Sequence, residues 1–270
     1  MNCLVTKLKA TVNNPDLPVL EEMQQFTLDA IAASGNNNMT DAQKWALNNF
    51  FISIGAPGNT GVFAKTKGLF LPLICNDNIN KAMYDYKNST LYSVNEGIAF
   101  DSNHGLTAVD ASSTNIFNNN TFQFADGRSD DLYLAVGVTG SYANGTYFKT
   151  AVGDSSFLVN KLSISSNSYT NTWRNQKELQ ATLQAACLGA VASKDINKDY
   201  RGYFITEGEN VVANLVDIEN PAEDTTGVVK VIPVVPRASS FGIFAVGTSL
   251  TNDECTVLAT AIRKLVAAFK

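Results

Sequence analysis

Hydrophobic and polar residues alternate in short runs through the middle of the chain, from about residue 61 to residue 247. In the clearest run, 132–138, leucines and valines at even positions alternate with Tyr133, Ala135 and Gly137. This period of two is typical of β-strands, whose successive side chains point to opposite faces. Comparable runs lie at 69–75, 147–152, 157–164, 188–193, 202–206, 211–216 and 228–235. Turns rich in asparagine and glycine separate them, and the pattern predicts an antiparallel β-sandwich rather than a parallel sheet.

An amphipathic helix is predicted near the end of the sequence. An apolar strand at 240–247 leads into residues 251–269, where Thr251 and Glu254 have the spacing of a capping box. Apolar residues recur at three- and four-residue steps, which defines one buried face. They are Leu258, Ile262, Leu265 and Phe269. A single helix after so many strands is expected to cover one edge or face of the sandwich.

A second helix is predicted to begin after Thr40, which forms a capping box with Gln43. The residues interpreted as its buried positions are Trp45, Leu47, Phe50, Phe51 and Ile54. Gly55, followed by Pro57, ends this helix. Residues 20–33 form a short helix or a strand, and periodicity does not decide between the two.

The first 38 residues have the character of an arm rather than of a domain. Residues 4–12 alternate as an exposed or edge strand, and segments rich in asparagine or proline at 13–18 and 35–38 break the pattern. We predict that an arm, 1–38, serves docking or assembly and that 39–270 forms the sandwich domain. Such an arm can add a strand to the sheet edge of a partner through main-chain hydrogen bonds.

Composition narrows the choice of partners. With 270 residues, of which 45% are hydrophobic and 17% charged, the chain can bury a large core without disulfides. A net charge of -5 without a basic run disfavours nucleic acid and anionic lipid. No stretch approaches the ~18–20 apolar residues of a membrane span, and the start carries no apolar signal core. We expect synthesis in a cytoplasm, no membrane insertion, and release by another route such as an assembled particle.

Neither the cysteines nor the single histidine indicates a metal site. The cysteines are far apart and are interpreted as buried free thiols. They are Cys3, Cys75, Cys187 and Cys255. Residues 195–199 carry the alternating oxygen ligands of a calcium loop, but Tyr200 and Thr206 replace its glycine and glutamate, and a tight turn is favoured. The glycine-rich stretch 55–61 lacks the lysine of a phosphate loop. No cofactor or metal is expected.

Candidate catalytic groups are few and poorly arranged in the sequence. His104 lies in a turn-like segment and is interpreted as a surface-loop residue. Asp217 and Glu219 have the period-2 spacing of a glycosidase acid pair, but an Asn-Pro pair follows and ends the strand. Leu215 stands where the motif of sandwich-fold glucanases has its first glutamate. We therefore interpret these acids, with Glu223, as solvated loop residues and predict that the chain is not an enzyme.

Aromatic residues in polar surroundings are the candidates for carbohydrate binding, since aromatic faces suit the apolar face of a pyranose ring. Trp173, within the polar segment 166–174, is the first candidate, together with Tyr169 and Tyr142. The alternative is that Trp173 anchors a loop.

Five segments of the sequence carry a resemblance to a known family. LNNFFISIG at 47–55 and GVFAKTKGLFL at 61–71 resemble the opening of concanavalin A-like jelly-roll domains in bacteriophage virion proteins, and FAVGTSLT at 244–251 before a helix resembles their end. Segments 188–193 and 203–208 look like the paired strands that lead to the family's hairpin. The resemblance spans about 42–270, and residues 1–12 also resemble the start of proteins encoded by phages and prophages of gut Bacteroidetes.

The resemblance implies a concanavalin A-like antiparallel β-sandwich with a few flanking helices, carried on a particle. We therefore expect a non-enzymatic structural component of a bacteriophage virion: a fibre, tail or capsid-decorating protein. Its expected partners are other virion subunits, further copies of itself and host surface glycan. No catalytic residue is implied, because none of the matching segments is catalytic. The alternatives are a carbohydrate-binding module and a glycan depolymerase.

Overall fold

The described residues of the computed structural model form four α-helices and seventeen β-strands. The described ranges are 23–109, 114–118, 122–128, 131–140, 147–152, 161–165, 168–173, 177–182, 187–194, 199–206, 208, 210–217, 226–236 and 239–270. The helices are α1 (Gln25–Ser34), α2 (Asp41–Ile54), α3 (Gly61–Lys65) and α4 (Asn252–Phe269). The strands are β1 (Thr66–Phe70), β2 (Tyr84–Asp85), β3 (Thr90–Leu91), β4 (Ile98–Phe100), β5 (Leu106–Ala108), β6 (Thr114–Asn115), β7 (Phe122–Arg128), β8 (Leu132–Val138), β9 (Phe148–Val152), β10 (Lys161–Ser165), β11 (Ser168–Trp173), β12 (Lys177–Thr182), β13 (Cys187–Lys194), β14 (Asp199–Thr206), β15 (Asn210–Asp217), β16 (Thr226–Val235) and β17 (Phe241–Gly247).

Both predicted capping boxes are present. The Gln43 amide nitrogen donates to Thr40 Oγ1 at 3.3 Å, and the Thr40 amide donates to Gln43 Oε1 at 2.9 Å. Thr251 and Glu254 make the same reciprocal pair at the start of α4. Each box satisfies backbone N–H groups that the first turn of a helix leaves without partners, so both helices begin where the sequence predicts.

A ten-stranded sheet forms the centre of the molecule. Its strand order is β15-β14-β13-β8-β17-β1-β2-β3, and β4 and β5 join it through β17. The central strands β8 and β17 pair antiparallel with Ala135 opposite Ala245, and every residue of both strands is buried. These two strands must therefore be covered on both faces.

A smaller sheet covers one face of the large sheet. It is built around β16, which pairs with β6, β7 and β9. Even-numbered residues of β8 share one buried cluster with residues of the small sheet such as Phe148, Val229 and Val231. Phe244 of β17 joins the two layers directly, because its ring centroid lies 5.1 Å from that of Phe148. The two sheets thus form a β-sandwich with a common core.

Helices cover the opposite face of the large sheet. Odd-numbered residues of β8, Tyr133 and Ala135, share a second buried cluster with Phe51 of α2 and with Leu258 and Ile262 of α4. The order of layers is small sheet, large sheet, helices. The predicted fold class is confirmed: the chain is mostly β, with antiparallel sheets and a few flanking helices that include the C-terminal one.

Two local predictions differ from the structure. The run at 69–75 was expected to be one strand, but β1 ends at Phe70 because Pro72, which lacks an N–H group, opens a 3-10 turn over Pro72–Ile74. Trp45, predicted to be a core residue, is only half-buried. It lies on the same helix face as the exposed Asn49 and Ile52, four and seven positions further on.

Part of the predicted arm packs on the domain. The ambiguous segment 20–33 contributes to helix α1, and the Phe26 ring lies 4.7 Å from Phe51 and 5.3 Å from Phe63 in edge-to-face geometry. Thr27 Oγ1 also donates to Asn48 Oδ1 of α2 at 3.0 Å. The packed part of the chain therefore begins before residue 39. Residues 1–22 lie outside the described residues, and the docking role of the arm stays a prediction.

Candidate functional site

Two cysteine thiols are buried inside the helical side of the core. Burial raises the pKa of Cys75 and of Cys255 to about 12. The Cys75 Sγ also donates to the carbonyl of Lys81 at 3.4 Å. Both thiols are therefore protonated at neutral pH and are poor nucleophiles. The prediction of buried free thiols is confirmed for these two cysteines, whereas Cys3 and the side chain of Cys187 lie outside the described part of the structure.

Asp85 is a carboxyl group with no exposed surface at the start of the turn after β2. Its Oδ1 accepts hydrogen bonds from the amides of Leu69 and Lys87 at 3.0 and 2.9 Å. Its Oδ2 accepts from Asn88 Nδ2 at 2.6 Å, and the same Asn88 nitrogen reaches the carbonyl of Lys67. Burial raises the pKa of Asp85, and these hydrogen bonds offset part of that rise. The geometry assigns Asp85 to holding β1 against β2.

The Asp85→Asn variant is expected to gain stability relative to the native chain as the pH rises. A carboxyl group with a raised pKa in the folded state binds its proton more tightly there than in the unfolded chain, so its contribution to stability falls as the pH rises from about 4 through the folded pKa. Asparagine does not ionise. Thermal unfolding between pH 3.5 and pH 7 tests this, with the exposed Asp29→Asn as the matched control. A Tm difference that moves the opposite way with pH would mean that the pKa of Asp85 is lowered.

His104 lies in a surface turn, as predicted from the sequence. Its backbone has a φ of 58°, and its Nδ1 lies 3.3 Å from Asp77 Oδ1. Nearby, Asp101 Oδ1 accepts the amide of Gly105 at 3.1 Å, and Asp101 Oδ2 accepts the hydroxyl of Ser240. Serine, histidine and aspartate thus occur in one region but form two separate pairs, His104 with Asp77 and Ser240 with Asp101. The second pair ties the turn after β4 to the start of β17.

The other predicted sites fall at the limits of the described residues. Asp217 is the last residue of β15, opposite Asp199 in the strand register, whereas Glu219 and Glu223 lie outside the described residues. The calcium-like segment 195–198 also lies outside them. The strands on either side of it, β13 and β14, pair antiparallel.

Two of the three predicted carbohydrate-binding residues share one strand. Tyr169 and Trp173 lie on β11, the middle strand of a separate three-stranded sheet formed by β10, β11 and β12. In the strand register, Tyr169 lies opposite Ala181 and Trp173 opposite Lys177 of β12. Tyr142 lies outside the described residues.

A groove opens beside the β3 edge of the large sheet. It has a volume of about 570 Å³. Its lining residues are Ile79, Asn80, Leu91, Tyr92, Ser93, Val94, Asn95, Glu96 and Ile98. One wall is the turn at 79–80, and the other is the segment 91–96 that follows β3. The amide of Tyr92 donates to the carbonyl of Met83 at 3.1 Å and so ties the second wall to the residue before β2.

Local turn chemistry fixes the second wall of the groove. Asn95 Oδ1 accepts the amide of Gly97 at 2.9 Å, and the amide of Ile98 donates to the carbonyl of Asn95 at 3.0 Å. An isolated bridge joins Val94 to Phe117, and the Asn95 amide donates to the carbonyl of Ile116 at 2.8 Å. The side chains of Ser93, Asn95 and Glu96 therefore project from a backbone that is held at both ends.

Sequence reasoning missed this groove. Asn-Asp-Asn at 76–78 and Asn-Glu-Gly at 95–97 are recognisable turn clusters. Nothing in their spacing shows that the two turns meet in space. Over the part of the chain that the structure describes, no group of three metal-ligating side chains comes together. In the same part, none of the helices has the length and apolar character needed to span a bilayer.

Comparison with known proteins does not assign this chain to a family. No protein-family model matches the sequence, and no curated protein matches it either. Among solved structures, a sialidase of Trypanosoma rangeli matches at 10% identity and a TM-score of 0.46, covering 81% of this chain and 38% of the sialidase. A structure described as a receptor binding domain matches at 9% identity and a TM-score of 0.42, covering 79% of this chain and 53% of that one. This chain spans well under two thirds of either protein, and likenesses this distant identify no relative.

Proposed function

We propose that the chain is a non-enzymatic structural component of a bacteriophage virion, with a concanavalin A-like jelly-roll sandwich that assembles with other subunits through its N-terminal arm. The observation that carries the proposal is the burial of β8 and β17 on both faces, between the small sheet and the helices. Packing of this kind holds side chains in fixed positions and resists deformation. A rigid module that carries an N-terminal arm suits assembly into a particle.

Four reactive side chains of the described residues support a structural role, because they are used inside the fold. Asp85 fastens β1 to β2, and Asp101 fastens a turn to β17 through Ser240. The thiols of Cys75 and Cys255 are held protonated by burial. Catalytic groups, in contrast, need access to substrate and a pKa matched to their task.

The phage assignment rests on the sequence resemblance of the segments at 47–55, 61–71 and 244–251. The first of these is the second half of α2 with its Gly55 cap, and the last joins β17 to the capping box of α4. These are the parts that build the helical layer and its junction with the central sheet. The virion location and the partnership with other copies follow from the same resemblance and belong to the proposal.

Deletion of residues 1–14 is expected to leave a folded domain that is absent from particles. The deletion ends before α1, whose Phe26 contacts Phe51 and Phe63, so the Tm should stay close to that of the full chain. The test is mass spectrometry of virions from a phage that carries the truncated gene. Virions from a phage that carries the untruncated gene are the control. Normal incorporation of the truncated chain would overturn the assembly role of the arm.

The depolymerase alternative has its own test. If the purified chain degrades a bacterial surface polysaccharide, and the Asp217→Asn and Glu219→Gln variants lose that turnover while they keep their Tm, the non-enzymatic assignment is wrong. The expected result is that wild type and both variants release no reducing sugar.

A further inference from the structure

We propose that the groove beside β3 is a binding site for a neutral carbohydrate. It lies away from β11, which carries two of the three residues that the sequence suggested for this role. Its volume of about 570 Å³ lies within the range of about 300–1,000 Å³ that is usual for small-ligand sites. The lining combines apolar side chains with a few convergent polar groups, which is the composition that fixes the orientation of a small ligand.

The polar groups of the groove match the hydroxyl pattern of a sugar. Asn80, Ser93 and Glu96 are exposed, and within the described residues their side chains form no hydrogen bond or ion pair. A carboxylate accepts two hydrogen bonds, and an amide both donates and accepts. Adjacent sugar hydroxyls offer this same mixture of donors and acceptors, so each polar group can form a hydrogen bond to a bound sugar.

Asn95 adds a donor whose direction is set in advance. Its Oδ1 accepts the amide of Gly97 at 2.9 Å, which fixes the side-chain amide, and among the described residues Nδ2 has no hydrogen-bond partner. A group held in its binding orientation loses little conformational freedom when a ligand arrives. The Asn95 side chain is therefore a preorganised part of the site.

The Tyr92 ring supplies an aromatic surface that is also held in place. Its centroid lies 5.7 Å from that of Phe70, 5.2 Å from that of Phe117 and 6.1 Å from that of Phe122, and Tyr92 is also one of the residues that line the groove. Ile79 and Val94 extend this apolar surface. Such a surface suits the C–H face of a pyranose ring, which is apolar although the ring edge is polar.

Charge selects a neutral sugar over an acidic one. Among the described residues that line the groove, Glu96 alone is charged, and the chain as a whole carries a net charge of -5. A phosphate or a sialic acid carboxylate would meet this like charge, and none of the described lining residues is a cation that could pair with it. Neutral hexoses and N-acetylhexosamines avoid this cost.

The experiment is a glycan array followed by calorimetry on the best neutral ligand. Glu96→Ala and Asn80→Ala change exposed side chains and should keep the native Tm. Each is expected to weaken binding about tenfold or more through the loss of hydrogen bonds to the ligand. Asn49→Ala, an exposed asparagine on α2, is the matched control and should bind as the wild type does.

Three results would overturn the proposal. Wild-type protein that binds no neutral glycan excludes the site, and so does preference for sialylated or sulfated glycans. Loss of binding in Trp173→Ala with full binding in Glu96→Ala and Asn80→Ala would place the site on the three-stranded sheet instead. The groove variants are expected to enter particles normally. A negative binding result would therefore not bear on the assembly role of the arm, and normal incorporation of the truncated chain would not bear on sugar binding in the groove.

Discussion

Replacing Phe244 with alanine is expected to lower the free energy of unfolding by about 3–5 kcal/mol, the usual cost of emptying a buried phenylalanine site. The Phe244 ring is fully buried on β17. It stacks on Phe70 of the same sheet at 5.3 Å with an interplanar angle of 12° and reaches Phe148 of the small sheet at 5.1 Å. Its removal therefore leaves a cavity between the two sheets. Urea denaturation followed by fluorescence and circular dichroism measures the loss.

Phe124→Ala is the matched control for this prediction. Phe124 lies on β7 of the small sheet, is only partly buried, and contacts the Phe122 ring at 6.1 Å. Its removal should cost about 1 kcal/mol or less, because a partly exposed site relaxes and admits water. An equal loss of stability in the two variants would mean that Phe244 is not central to the packing of the sheets.

The second large effect is expected at the junction between α4 and the large sheet. Ile262 is fully buried on α4, and its Cγ2 lies 3.0 Å from the point where a Cβ on Gly137 of β8 would stand. The helix thus sits directly on the backbone of the central strand. Ile262→Ala is expected to lower the free energy of unfolding by about 2–5 kcal/mol, since it opens a cavity at this junction.

Val257→Ala tests whether the loss of stability in Ile262→Ala comes from the buried side chain or from the change in helix propensity. Val257 is a β-branched residue on the same helix, but 38% of it is exposed. Its replacement should change stability by about 0.5 kcal/mol or less, and alanine is the better helix former. If Val257→Ala costs as much as Ile262→Ala, α4 does not pack on β8 in the manner described.

Local features of the fold follow from short stretches of sequence. The capping boxes at Thr40 and Thr251 set the starts of α2 and α4, because side chains three residues apart satisfy the first free N–H groups of a helix. The period-2 runs placed β8, β13, β14, β15 and β16 within a few residues of their bounds. These signals depend on neighbours in the chain and can be read without knowledge of the fold.

Long-range arrangement did not follow from the sequence. The alternation in β8 identified two faces but did not show that Tyr133 and Ala135 pack under helices while Leu134 and Val136 face a second sheet. Sheet order depends on contacts between distant segments, such as β8 with β17. The sequence did not predict the groove for the same reason. Its walls at 79–80 and 91–96 become neighbours only when β2 and β3 pair.

Native-state hydrogen exchange of the full-length protein tests the three-layer core most directly. The amides of β8 and β17 are paired on both sides within the large sheet and covered on both faces, so they are expected to exchange only through global unfolding. The amides of the two-residue edge strand β3 should exchange much faster. If β8 and β17 exchange as fast as β3, the central sheet is not enclosed between a second sheet and the helices, and the rigid-module account fails.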